Sequence, residues 1–237
     1  YAIFSPGRNW EQVRTTICYN DSNVKIVGAH AGVSVGPDGA THQMIEDISI
    51  MRTLPNMVVI APADIHEARK ATLAAAQYEG PVYFRVGRSA TPVATTPESP
   101  FAIGKAERMY SRNESLEQKV GILSTGSLLY NSLMAAKQLE EEGIGASVLH
   151  MATIKPLDTE ALEAFAAEHD KLVTVEEHQI MGGFGSAVAE HLAETRPTKI
   201  ARVGVNDEFG QSGTPEELIE HYGMGIDSIV EKAKGLL

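Results

Sequence analysis

Apolar positions along this chain alternate between short unbroken runs and helical spacings. Trp10, Val13 and Ile17 recur three and four residues apart, which predicts a helix over 9–18. Val24-Lys25-Ile26-Val27 reads as a short strand. A loop carrying Gly28, Gly32, Gly36 and Gly39 follows, and Met44, Ile48 and Met51 then mark a helix that stops near Pro55. Met57-Val58-Val59-Ile60 is a second strand. Asp64 with Glu67 reads as a capping box for a helix reaching about Tyr78. Gly80-Pro81 closes that helix ahead of a third strand over 82–86.

Residues 89–100, with three prolines and little apolar content, form the best linker candidate. The pattern then resumes. Strands are predicted over 120–123, 146–149, 171–175 and 200–205. Helices are predicted from Ser127 to Glu142 with Gly143 as terminator, from near Asp158 to His169, and from the glycines at 182–185 through Glu194. Thr214-Pro215-Glu216-Glu217 is a second capping box with proline at the first helical position, and a last helix starts near Asp227. Alternating apolar strands and helices imply an α/β fold of two domains, each a mostly parallel sheet flanked by helices. The boundaries are set at 1–92 and 105–237, with 93–104 as linker. Three strands are few for the first domain, and the chain begins at Tyr1 rather than Met, so an N-terminal portion is expected to be absent.

Composition changes this picture only by exclusion. The 237 residues carry a formal net charge of −11. That disfavours nucleic acid and anionic membrane surfaces, which need clustered Lys and Arg. No run of about 18 apolar residues is present to span a membrane, and no signal peptide is visible, so a cytoplasmic protein is expected. The single cysteine, Cys18, cannot form an internal disulfide and reads as a small core residue.

Candidate chemistry concentrates in the glycine-rich loop, which carries His30, Asp38 and His42. Loops at the carboxyl ends of parallel strands are where ligands bind in open sheets. Glycine permits close backbone approach, and histidine exchanges protons near neutral pH. Taken singly, each histidine reads equally as a satisfied structural residue, and Thr41-His42-Gln43 as a helix cap. The spacing of His30, Asp38 and His42 does not suit a helix-borne metal site. Arg88, at the end of the third strand, reads by itself as a solvated charge. Glu176, Glu177 and His178 read as an interface patch or a solvated strand end. His66, His169, His191 and His221 read as surface residues, and His150 has no interpretable partner.

The run Val27-Gly28-Ala29-His30-Ala31-Gly32, continuing through Gly36-Pro37-Asp38-Gly39-Ala40-Thr41-His42-Gln43, closely resembles the pyrimidine-binding domain of transketolases. So do Arg52-Thr53-Leu54-Pro55-Asn56 and Gly80-Pro81-Val82 through Arg88. The resemblance extends through 175–190 in the second half. It implies the C-terminal section of a thiamine-diphosphate enzyme that moves a two-carbon ketol unit between sugar phosphates. Phe4 falls where that family stacks an aromatic ring on the cofactor's aminopyrimidine, and Tyr1 matches a second aromatic. His30 and His42 match histidines that contact substrate hydroxyls and assist proton transfer. Asp38 matches an acid that holds a donor hydroxyl, and Arg88 a base that grips the sugar phosphate, with Arg85 the competing candidate for that role. Ala31, Pro37 and Gly7 depart from the long single-chain members and resemble the split, two-subunit type. The glutamate that activates the cofactor would lie before Tyr1. The family's Gly-Asp-Gly motif for diphosphate and Mg²⁺ does not occur in this chain. The resemblance therefore implies an N-terminal partner subunit that holds the metal, pairing through this chain as a homodimer, and inactivity of this chain alone. A 1-deoxyxylulose-5-phosphate synthase type, a 2-oxo-acid dehydrogenase β type and a non-catalytic assembly module are the rival readings.

Overall fold

The computed structural model describes residues 1–237. Two sheets organise it. The first has the order β1-β3-β2-β7, with β1 Lys25–Gly28, β2 Val58–Ile60, β3 Val82–Arg85 and β7 Thr153–Lys155. Strands β1, β3 and β2 run parallel, whereas β7 joins β2 antiparallel. The second sheet has the order β4-β6-β5-β8-β9, with β4 Glu107–Tyr110, β5 Lys119–Ser124, β6 Gly145–His150, β8 Lys171–Gln179 and β9 Lys199–Val205. Only β4 is antiparallel there. The α/β class and the mostly parallel sheets agree with the apolar pattern.

The helices are α1 Trp10–Gln12, α2 Asp47–Arg52, α3 Ile65–Gln77, α4 Leu129–Glu141, α5 Thr159–Glu168, α6 Phe184–Thr195, α7 Pro215–His221 and α8 Ile226–Lys234. Around α1 the chain is wound more widely than an α-helix. Gly7 donates to the carbonyl of Ala2 and Tyr19 to that of Arg14, both five residues back. The expected helix over 9–18 is therefore present but loosely wound. The Thr214–Glu217 capping box forms reciprocally at the start of α7. At α3 only half of the expected box forms. Asp64 caps the His66 and Glu67 amides, but the Glu67 carboxylate accepts instead from Ala63 N–H at 2.6 Å.

Two short strands were not expected. β4 is a four-residue edge strand, Glu107-Arg108-Met109-Tyr110, without apolar alternation, and β7 is three residues long, so neither shows a sustained period. β7 matters most, because the C-terminal half thereby completes the sheet of the N-terminal half. One core cluster likewise spans both: Val13, Ile48, Met51, Val59 and Tyr83 pack with Leu123, Leu149, Ile154, Phe165 and Phe184. Cys18 lies in that core, as its apolar context implied. The expected linker is firmly held. Thr95 is buried, its Oγ1 donates to Asp64 at 2.6 Å, and Lys70 bonds the carbonyls of Thr96 and Ser99. No helix is long and apolar enough to cross a membrane.

Candidate active site

β1 and β3 are parallel neighbours, so their carboxyl ends lie side by side. The segment after β1 carries His30, and the segment after β3 carries Arg88. His30 adopts a left-handed backbone (φ 55°), which turns the chain sharply away from the strand. The glycine-rich loop then forms a 3₁₀ segment over Val33–Asp38, entered through Gly32 (φ 86°) and kinked at Gly36 (φ 82°), and this segment presents Asp38 back toward β3. The first turn of the chain is pinned to the same place, since Ala2 N–H donates to the Ala29 carbonyl at 2.7 Å.

All six residues singled out from the sequence converge here. The Asp38 carboxylate accepts from Tyr1 Oη–H at 2.9 Å and from Arg88 Nη1 at 2.7 Å. Arg88 also donates to the Val35 carbonyl at 2.9 Å. The Tyr1 ring stacks on His30 with centroids 4.3 Å apart. Tyr1 and Phe4 each meet the His42 ring edge-on, at 5.6 and 5.4 Å. Thr41 Oγ1 is 2.8 Å from His42 Nδ1. Tyr1 and Phe4 remain 42% and 37% exposed, so the cluster keeps an uncovered aromatic surface. The Arg8 guanidinium sits 4.8 Å from the Phe4 centroid, occupying one face of that ring.

Electrostatics set the protonation states. The hydrogen bond from Tyr1, aided by the Arg88 charge, holds the Asp38 carboxyl below its ordinary range, while the Tyr1 phenol is pushed up by the same bond. Burial, with Arg88 nearby, lowers the His30 pKa, so its imidazole is neutral at pH 7. Its Nδ1 is buried without a hydrogen-bond partner.

Several residues around this cluster differ from the sequence reading. Arg85 is no rival to Arg88. It is buried, bonds Asp47 at 2.8 Å and the Glu177 carbonyl at 2.7 Å, and shares Asp47 with the Tyr83 hydroxyl. Glu176, Glu177 and His178 are not a solvated strand end, because β8 continues through them and all three are buried. Glu176 accepts from the first amides of α6, Phe184 N–H at 2.6 Å and Gly185 N–H at 2.7 Å, and burial raises its pKa. Gly183 makes this possible, since a Cβ there would lie 2.1 Å from the carboxylate. His169 is also buried rather than on the surface. It ends α5 and bonds the Phe165 carbonyl and Ser147 Oγ. His150 does have partners: Nε2 lies 2.9 Å from Glu67 Oε2 and Nδ1 3.3 Å from Ser124 Oγ. Gln43, buried beside His42, donates to the Val33, Gly36 and Gln211 carbonyls and so ties the loop to the C-terminal half. Its signal was its place in the Thr-His-Gln run.

Comparisons with known proteins agree with this geometry. The family model for the transketolase pyrimidine-binding domain matches residues 1–93, and that for the transketolase C-terminal domain matches 110–229. The solved structure of a split-gene transketolase, described as an inactive beta4 tetramer, superposes with a TM-score of 0.92 at 43% identity. It covers 100% of this chain and 74% of that one. A Methanocaldococcus jannaschii protein, provisionally named a transketolase C-terminal section, is 43% identical over 98% of this chain and 72% of its own length. One of the subunits of the apulose-4-phosphate transketolase of Phocaeicola vulgatus is 37% identical over 98% of this chain and 73% of its own. With both family models matched in order along one continuous site-bearing fold, this chain belongs to the transketolase family, of which it carries the pyrimidine-binding and C-terminal regions.

Proposed function

We propose that this chain is the C-terminal part of a thiamine-diphosphate-dependent transketolase, moving a two-carbon ketol unit between sugar phosphates together with a second chain. The observation that supports this most is the convergence of Tyr1, Phe4, His30, Asp38, His42 and Arg88 on one uncovered surface. The residues suit the cofactor's aminopyrimidine. The free face of Phe4 and the exposed Tyr1 ring offer a planar group stacking worth about 0.5–1.5 kcal/mol beyond area burial. When bound, the cofactor supplies the carbanion chemistry of carbon–carbon cleavage.

The protein's part is to bind, orient and move protons. Asp38, held ionised, accepts a hydrogen bond from a sugar hydroxyl. Arg88, a planar donor fork, takes the phosphate. Neutral His30 donates to or accepts from the hydroxyl next to the reacting carbon. His42, between the two aromatic rings, handles the proton at that carbon's oxygen. Diphosphate and Mg²⁺ fall to the partner chain on this reading, and the glutamate that meets the pyrimidine to the segment upstream of Tyr1. Two copies of this chain pair within a cytoplasmic assembly.

The test mixes this chain, extended upstream, with a diphosphate-domain subunit, thiamine diphosphate and Mg²⁺, using xylulose 5-phosphate and ribose 5-phosphate. Ketol transfer that needs both chains is expected. Turnover by this chain alone would remove the partner. Turnover of pyruvate instead would move the chain to a 1-deoxyxylulose-5-phosphate synthase or 2-oxo-acid dehydrogenase type.

A further inference from the structure

The 3₁₀ turn that carries Asp38 has little regular structure to hold it. Besides Gln43, it is held from β8 in the C-terminal half, through the Glu177 side chain. The Glu177 carboxylate, buried, accepts from Ser34 N–H at 2.7 Å with Oε1 and from Ser127 Oγ at 2.9 Å with Oε2. Ser34 is the second residue of the turn, and Ser127 lies just ahead of α4. Arg85, fixed by Asp47, holds the Glu177 carbonyl from below. The approach is so close that a Cβ on Gly32 would lie 2.1 Å from Oε1. One residue beyond Ser34, the Val35 carbonyl accepts from Arg88, and at the turn's end Asp38 accepts from the same guanidinium.

We propose that Glu177 is a positioning residue for the phosphate end of the site: delivered from the C-terminal half, it anchors the turn on which Asp38 and the Arg88 guanidinium are registered. It touches neither substrate nor cofactor. This assignment rests on the ketol-transfer reading for its kinetic consequence, but its geometric content stands apart. A carboxylate capping an amide at a helical start is a charge-assisted bond, and its removal leaves that amide buried and unpaired.

The test uses the complete two-chain enzyme carrying Glu177→Gln, Ser127→Ala and Arg88→Ala, singly and as the Glu177→Gln/Arg88→Ala pair. Two readouts are taken: kcat and KM for a phosphorylated and an unphosphorylated ketose, and hydrogen exchange of the segment 33–43. Glu177→Gln is expected to lower kcat/KM for the sugar phosphate about tenfold, mostly through KM, and to speed exchange in 33–43. Ser127→Ala should do the same more weakly. In the Arg88→Ala background the Glu177→Gln loss should largely vanish, because both act through the same segment, Ser34 to Asp38. Equal losses in both backgrounds, or unchanged exchange, would overturn the proposal. Faster exchange in a protein that never transfers ketol units would sink the functional reading and leave the anchoring intact. Should Glu177→Gln fail to fold, Ser127→Ala with the same exchange readout decides the matter.

Discussion

The Arg88 guanidinium reaches its working position already paired with Asp38 at 2.7 Å. An exposed ion pair of this kind adds little to stability; on the proposed reading it presents a cation beside a hydroxyl acceptor. Arg88→Ala is expected to leave the fold intact and to cost phosphorylated sugars roughly 1.5–3 kcal/mol of transition-state binding. Unphosphorylated analogues should change little, and steady-state kcat/KM for matched sugar pairs checks this. Asp38 keeps its Tyr1 bond in that variant, so the hydroxyl-binding role proposed for it should survive. His42 is a different case. Its neighbours Tyr1 and Phe4 meet it through ring edges, and its Nδ1 has only Thr41 beside it. His42→Ala should therefore lower kcat by ~10²–10⁴-fold with an unchanged melting temperature, as loss of a general acid–base group does. An unaltered kcat would assign His42 to structure alone.

Among the elements, α3 is the one whose cap carries the most weight. Burial alone would raise the Asp64 pKa. Bonds from Thr95, the Glu67 amide and the Ala94 amide outweigh that and hold the carboxyl at about 2 against its ordinary 3.8. A depressed carboxyl pKa favours the folded state fully above pH 3.8 and loses that contribution as pH falls through about 2. Asp64→Asn cannot titrate, so its stability deficit against the unaltered protein should shrink between pH 4 and pH 2, read by urea unfolding at each pH. A constant deficit would refute the assignment. This cap also shows what the sequence made legible. Asp64 was visible because capping is local, three residues from its partner. Its second partner, Thr95, lies 31 residues on in a proline-rich stretch that read as a free linker. The same division holds at the site. His30, Asp38 and His42 were legible because the loop that carries them has its own motif, and Arg88 because it closes the Gly80–Arg88 run that resembles the family. Glu177 was not, because it follows Val173 and Val175 on one face of β8 and only the distant Ser34 amide explains a charge there. β7 escaped for a similar reason, since a three-residue antiparallel edge has no period to read.

At the scale of the whole molecule, the two halves share more than a boundary. The first sheet takes its fourth strand, β7, from the second half. Ala61 N–H donates to the Ala152 carbonyl, and Gln179 N–H to that of Ile45. The buried His150–Glu67 and Arg85–Glu177 contacts cross the same seam. Cutting it would take from Glu67 its histidine and from Arg85 its carbonyl. It would also expose Met51, Val59 and Tyr83, which pack on residues of the second half, at roughly 1.5–3 kcal/mol per fully buried apolar side chain. Those losses together are comparable with the net stability of an ordinary domain, about 5–15 kcal/mol. A fragment comprising residues 1–104 is therefore expected not to fold by itself, and the intact chain to unfold in one cooperative transition. Circular dichroism and amide NMR dispersion of the fragment check the first point, and coincident near- and far-ultraviolet melting of the intact chain checks the second. A well-dispersed, cooperatively melting fragment would show that the seam is an ordinary domain interface, and that the C-terminal half braces the site loop without being needed for the first sheet to form.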